Sequence, residues 1–357
     1  MALIKKKIMI GFGCGILLCI FAFNPDNEII EKMTPYLLSF SNEDISCYAE
    51  SSTLRESMTL DIEAPINEII ADDRNIFFHE TSCFGKEGIV MTSRQACAIE
   101  SAAMMNPTMK VHLFVLSNVN YSSETKKIIH ILTNYKNVVI HRIFMKEYVK
   151  NTPLQDWWES GVLRSSRWPK SHMSDILRYL TLWKFGGIYL DLDVVVITSL
   201  EKLYNFAGAE DWEDVAAGVI GFSTTGLGRK IADACLRDLK KNFRGNVWGN
   251  NGPGVITRTL QKLCATKYAR DMTSARCHGF TVYPPSVFYP IHYKMWKQYF
   301  DIDNKNETLK AIEKASAIHV WNKLSQSTII EIGSEVPYAV IANKYCPKIY
   351  NNCGKTF

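Results

Sequence analysis

The chain has 357 residues, of which 47% are hydrophobic and 22% charged, with a formal net charge of +5. That length and apolar share allow a large buried core and exclude a disordered or low-complexity polymer. Lys5, Lys6 and Lys7 carry much of the positive charge, and no Lys/Arg stripe interleaved with aromatics follows, so nucleic-acid binding is not expected.

Residues 1–7 read as a short basic tail. After them Ile8–Phe23 runs sixteen residues without a charge. As a helix this run spans roughly 24 Å, short against a hydrocarbon core of ~30 Å. A cleaved signal peptide and an uncleaved anchor both fit. The lysines favour a cytoplasmic N-terminus, and hence a single transmembrane signal anchor over residues 8–23 with the rest of the chain in a lumen. The short span suits the thinner membranes of the secretory pathway, and the expected location is the Golgi membrane. Residues 24–72 are polar and Ser/Glu-rich and read as a stem.

Eight cysteines lie beyond the anchor, an even number that in a lumenal chain suggests disulfides. The expected pairs are the neighbours Cys83/Cys97, Cys264/Cys277 and Cys346/Cys353. Asn120 and Asn306 begin glycosylation sequons.

From residue 75 the pattern is α/β. "NIFFHE" is a strand, "SRQACAIESAAMMN" a helix, "KVHLFVLS" a strand, "SETKKIIHILTNY" a helix and "NVVIHRIF" a strand. "MSDILRYLTLWKFGG" is a helix stopped by glycines, and "IYLDLDVVVI" is the next strand. Such alternation predicts a mostly parallel sheet.

That last strand carries Asp191 and Asp193. On a period-two strand both side chains share a face, where two carboxylates repel and burial worsens the repulsion. A divalent cation offsets both penalties, and oxygen ligands suit Mn²⁺ or Mg²⁺. Ligands of open α/β sheets sit at the carboxyl ends of strands. The pair therefore reads as a metal–diphosphate site, with two solvated acids at a surface strand end as the alternative. In the preceding helix Asp175 and Arg178 fall on one face, opposite an apolar stripe of Ile176, Leu180 and Trp183. Taken alone, they read as a surface ion pair. Gly186 suits a left-handed helix end and Gly187 a close backbone approach. The run Glu210–Asp214 reads as a solvated acidic loop. Asp301 and Asp303 lack the glycine an EF-hand needs.

The stretch "SHMSDILRYLTLWKFGGIYLDLDVVV" resembles the signature of α1,4-glycosyltransferases of the DXD-containing, sugar-binding-region type. "IFFHETSC", "CAIESAAMMNP", "VWGNNGPGVITRTL", "CHGFTVYPPSVFYPIHYKMWKQYF" and "AIHVWNKLS" resemble further blocks of that family, in order, over roughly residues 75 to 350. The resemblance implies a GT-A-like α/β nucleotide-binding sheet with helices on both faces. It implies a nucleotide-sugar-binding half at 73–200 and an acceptor-binding half at 201–357. Asp191 and Asp193 would hold Mn²⁺ or Mg²⁺ on the diphosphate of a UDP-sugar, and His319 would complete the metal site beside Trp321. Asp175 and Arg178 would contact the donor, near Gly187. Asn251, Gly252 and Pro253 would form a loop near donor or acceptor, although a tight turn explains them equally well.

The implied activity is retaining transfer of galactose or N-acetylgalactosamine, in α1,4 linkage, to a terminal sugar of a glycosphingolipid. The alternatives are N-acetylglucosamine transfer to O-glycans and a non-catalytic lumenal sugar-binding protein. Relatives often carry Asn-Gly where this chain reads Ala217-Gly218, which leaves the sugar open. "DLDV" after an apolar strand also resembles the nucleophile motif of haloacid-dehalogenase-like phosphatases. That motif belongs on a first strand, whereas here a long α/β stretch precedes it.

Overall fold

Three β-rich runs, nearly every residue of them buried, form one side of the sheet: β1 (Asn75–Glu80), β2 (Lys110–Leu116) and β3 (Val138–Ile143). They belong to a computed structural model that describes Ile45, Tyr48 and residues 63–357 except 83–87 and 118. Four further strands complete a seven-stranded sheet: β4 (Gly187–Leu190), β6 (Phe206–Ala209), β7 (Val215–Phe222) and β8 (Thr281–Tyr283). The order is β3-β2-β1-β4-β7-β6-β8. From β3 to β4 every pairing is parallel; β7 then runs antiparallel to both β4 and β6, so the sheet is mixed. Strands from both expected halves share this one sheet, and residues 43–357 cluster as one unit.

The helices cover both faces, as expected. Helix α1 (Ser93–Met105) opens with a capping box, in which the Thr92 side chain accepts from the Gln95 N–H and the Gln95 side chain accepts from the Thr92 N–H. It packs in one core with Ile76 and Phe78. Phe77, alternating to the other face, packs with Met173, Ile176 and Leu177 of α3 (Pro169–Phe185). Helix α2 (Ser123–Thr133) links β2 to β3, while α4 (Gly226–Asn242) and α5 (Pro253–Cys264) join α3 on its face.

The predicted strand Ile188–Ile197 is two strands. β4 ends at Leu190, and a turn closed by the Val194 N–H donating to Asp191 O (3.0 Å) leads into β5 (Val194–Val196). β5 leaves the main sheet and pairs antiparallel with β9 (Ala317–His319), placing Val194 opposite His319. Asp191 and Asp193 thus come together through a turn, not through strand alternation. Gly187, at φ +83, lies so close to β1 that a Cβ would sit 2.4 Å from Asn75 O, the close approach expected of it. Gly186 ends α3 at φ 67 and ψ −155, outside the left-handed helical region but open to glycine.

The folded region begins before residue 73. The Ala64 N–H donates to Ile140 O (2.8 Å), and Glu63 forms a buried ion pair with Arg142 (2.9 Å). Tyr48 donates its hydroxyl to Thr81 O. The end of the expected stem is therefore part of the domain. The expected tail and anchor lie outside the described residues, among which no helix is long and apolar enough to cross a membrane.

Cys264 and Cys277 pair as expected. Cys97 pairs with Cys346, not with Cys83, and Cys353 is free. Sequence proximity fails here because α1 packs directly against α6 (Pro337–Tyr345), whose C-cap is Cys346. The Cys97–Cys346 link closes 249 residues of chain and the other only 13. Loop-closure entropy then makes the long link worth about 5 kcal/mol, against about 3 kcal/mol for the short one. Urea titration of a Cys97→Ala/Cys346→Ala protein should show the larger loss of the two; the reverse ranking would contradict this pairing.

Candidate active site

The centre is built where β4 ends. Asp191, Asp193 and His319 each offer a ligand atom, and these atoms lie within 4.8 Å of one another. His319 Nε2 is 3.2 Å from Asp193 Oδ1 and 3.8 Å from Asp191 Oδ2. The β5–β9 pairing brings the two segments together, although 126 positions separate residues 193 and 319. Asp193 is held by backbone: its carbonyl accepts from the Val320 N–H (2.9 Å), and its Oδ2 from the Asn322 N–H (2.9 Å). Trp321 makes that arrangement possible with a left-handed backbone (φ 56). Its N–H donates to His319 Nδ1 (3.2 Å) and its indole N–H to Ile291 O (2.8 Å).

Asp191 is held from helix α3. Arg178 pairs with Asp191 Oδ1 (3.2 Å) and Asp175 Oδ1 (3.1 Å), and donates to Ala217 O (2.8 Å) and Ser174 Oγ (3.2 Å). The Tyr189 hydroxyl donates to Asp191 Oδ1 (2.6 Å). Asp175 and Arg178 are both 6% exposed, so they are a buried pair and not the surface pair their spacing alone suggested. The apolar stripe beside them is likewise buried at Ile176 and Leu180.

Charge in this centre is divided unevenly. Burial drives Asp191 toward protonation, but Arg178, then His319 and Tyr189, overcome it and hold the carboxyl well below the usual range. Burial raises Asp193, and the neighbouring Asp191 charge adds to it against His319. Burial opposes charge on His319, and the two carboxylates outweigh it, so its pKa rises. Burial pushes Asp175 up to about 7 despite Arg178. Two crowded carboxylates and an imidazole with hard oxygen and nitrogen donors fit a divalent cation such as Mn²⁺ or Mg²⁺. Gly218 leaves the room: a Cβ there would lie 2.8 Å from Asp191 Oδ2.

The Gly-Pro loop divides in role. Gly252 abuts Asp175, where a Cβ would lie 2.2 Å from Oδ1, and its carbonyl accepts from the Tyr179 hydroxyl (2.6 Å). Pro253 occupies the first turn of α5. Asn251 is fully buried; its side chain accepts from the Arg244 N–H and donates to Arg244 O, both at 2.9 Å. Of the two readings the sequence left open for this loop, a place near donor or acceptor and a tight turn, these hydrogen bonds of Asn251 fit the turn.

Other neighbours were not legible. Glu210, read as part of a solvated loop, is half-buried; burial pushes its carboxyl up to about 7, with His319 the leading opposing charge. Tyr189, Gly218, Asn322 and Tyr289 carry no signal by spacing. A cleft of about 490 Å³ shares Asn322 with the centre and is lined also by Ser82, Arg94, Gln95 and Gln326.

Residues 92–210 match the family described as "Glycosyltransferase sugar-binding region containing DXD motif", and residues 224–353 the "Alpha 1,4-glycosyltransferase conserved region". The chain is 33% identical to human lactosylceramide 4-alpha-galactosyltransferase over 76% of its own length and 75% of the relative's. It is 27% identical to human alpha-1,4-N-acetylglucosaminyltransferase over 80% and 83%. Among solved structures, PaToxG glycosyltransferase aligns with a TM-score of 0.41 and 16% identity, over 81% of this chain and 90% of that one. The galactosyltransferase LgtC aligns at 0.36 and 12%, over 76% and 95%.

Proposed function

The chain belongs to the DXD-containing α1,4-glycosyltransferase family, and from that premise we propose that it transfers galactose or N-acetylgalactosamine from a UDP-sugar to a terminal sugar of a glycosphingolipid, with retention. The Asp191–Asp193–His319 cluster carries this reading, because its donor atoms suit a cation that also holds a diphosphate. The likeness to the human galactosyltransferase supports the donor and acceptor classes. The proposed setting is a Golgi membrane, with residues 8–23 as the anchor.

Mn²⁺ bound here would supply Lewis-acid neutralisation of the charge on the departing diphosphate. The chain itself supplies the geometry. Arg178 keeps Asp191 ionised and oriented, and the Asn322 and Val320 N–H groups fix Asp193. These supports are made before any ligand arrives, so little reorganisation is left for the reaction. Same-face attack by the acceptor hydroxyl accounts for retention through positioning.

The test is UDP release by the full-length purified chain with Mn²⁺, each of UDP-galactose, UDP-N-acetylgalactosamine and UDP-N-acetylglucosamine, and a panel of glycolipid and O-glycan headgroups. Release is expected with one of the first two donors and a glycolipid headgroup. Preference for UDP-N-acetylglucosamine and an O-glycan would favour the activity named for the second human relative. UDP and Mn²⁺ binding without turnover on any acceptor would favour a sugar-binding protein.

A further inference from the structure

Tyr289 is 1% exposed, and its hydroxyl has no hydrogen-bond partner in the protein. Packing alone aims it. A Cβ on Gly208 would meet Tyr289 Cε2 at 2.7 Å, so the ring lies on bare backbone. Its other neighbours are the rings of His319 and Trp321, with centroids 5.6 and 5.9 Å away. The hydroxyl is thereby delivered to the space above Gly218. Three groups ring one point there, the position of a Cβ on Gly218: Asp191 Oδ2 at 2.8 Å, His319 Cδ2 at 3.2 Å and Tyr289 OH at 3.2 Å.

A phenylalanine would fill the same packing without burying an unpaired donor, which costs stability. Asp191 does not pair with the hydroxyl: Arg178 and Tyr189 serve its Oδ1, and its Oδ2, the oxygen on the Tyr289 side, takes a hydrogen bond from Arg178 at 3.5 Å and none from Tyr289. Two more orphaned polar atoms belong to residues that hold the carboxylate pair: Arg178 Nε and Asn322 Oδ1. Unpaired polar groups gathered around one centre mark a place that a polar ligand completes.

We propose that the Tyr289 hydroxyl donates a hydrogen bond to an oxygen that accompanies the cation, either a metal-held water or a diphosphate oxygen of the donor. The inference rests on the metal–diphosphate reading of the site and adds to it a contact that recognises the bound ligand. Tyr289 would be a binding residue contributed by the segment after β8, in the same centre as Asp191 and Asp193 but with no charge of its own.

The experiment compares wild type with Tyr289→Phe in three measurements: thermal melting of the ligand-free protein, Mn²⁺ titration followed by electron paramagnetic resonance, and UDP calorimetry with Mn²⁺ saturating. Melting should be unchanged or raised, because the lost hydroxyl has no protein partner. Binding should weaken about tenfold, the range of one hydrogen bond to a charged group. Weakening with Mn²⁺ alone identifies a metal-held water; weakening only with UDP identifies a phosphate oxygen. Both constants within twofold of wild type would overturn the proposal. A Phe variant that no longer folds would overturn it too, since the hydroxyl would then have a structural partner. If wild type bound neither Mn²⁺ nor UDP, the site reading would fall and this inference with it; binding that the variant leaves unchanged removes this inference alone.

Discussion

Asp193→Asn is expected to lower Mn²⁺-dependent UDP release by about a thousandfold, the scale of losing a main electrostatic element of a transfer site. The substitution keeps the volume and an oxygen for the Asn322 N–H (2.9 Å), and it removes the negative charge beside His319. Folding should therefore survive while the cation loses a charged ligand. Steady-state release and Mn²⁺ titration check this together. Activity within tenfold of wild type, with Mn²⁺ affinity unchanged, would mean that Asp193 is not a ligand.

Arg178→Leu is expected to cost about 3–5 kcal/mol of stability, the usual penalty for stranding buried charge. Arg178 is the cation shared by Asp175 and Asp191, and it also ties α3 to the start of β7 by donating to Ala217 O (2.8 Å). Burial already lifts Asp175 to about 7 against Arg178, and Arg178 is what holds Asp191 down. Without the guanidinium, Asp191 loses the largest charge that holds it down, and Asp175 is left with a folded-state pKa still further above its unfolded one. Such a group favours folding at low pH and loses that contribution as pH rises through its folded value. The defect should thus be present already near pH 4, where the wild type holds Asp191 ionised, and grow further as pH rises past 7. Denaturant unfolding at pH 5 and pH 8 checks the sign; an equal loss at both would show that the carboxylates are not stranded. Lys in place of Arg should recover only part of the loss, because an ammonium cannot fork to two carboxylates and a carbonyl.

Much of the site was legible in the sequence because its signals are local. Asp191 and Asp193 stand two apart, Asp175 and Arg178 three apart on a helix, and the glycines of 186–187 have no other explanation than backbone geometry. The pairing of Asp191 with Asp193 was foreseen for an incomplete reason. A strand was expected to align them, whereas a turn between β4 and β5 does so. Periodicity cannot reveal such a break, since Val194–Val196 is as β-prone as the strand before it.

His319 joined the site in the sequence reading only through a family resemblance; spacing carried no trace of it. What places it is the β5–β9 ladder, which sets Val194 opposite His319. Glu210 shows the converse failure: it looked solvated, and it is half-buried with His319 as a neighbouring charge, while Asn251, left open between a binding loop and a tight turn, closes a turn on Arg244 with its amide.

By itself, then, the sequence determined the alternation of strands and helices from β1 to β4, the Asp-x-Asp element and the basic partner on α3, because each is written within one turn of helix or a few strand residues. The tertiary structure alone decided which distant residues complete the centre, that Cys97 bonds to Cys346, and where Tyr289 aims its hydroxyl. Those outcomes depend on packing between segments distant along the chain, and side-chain pattern along one segment carries no information about which other segment will cover it.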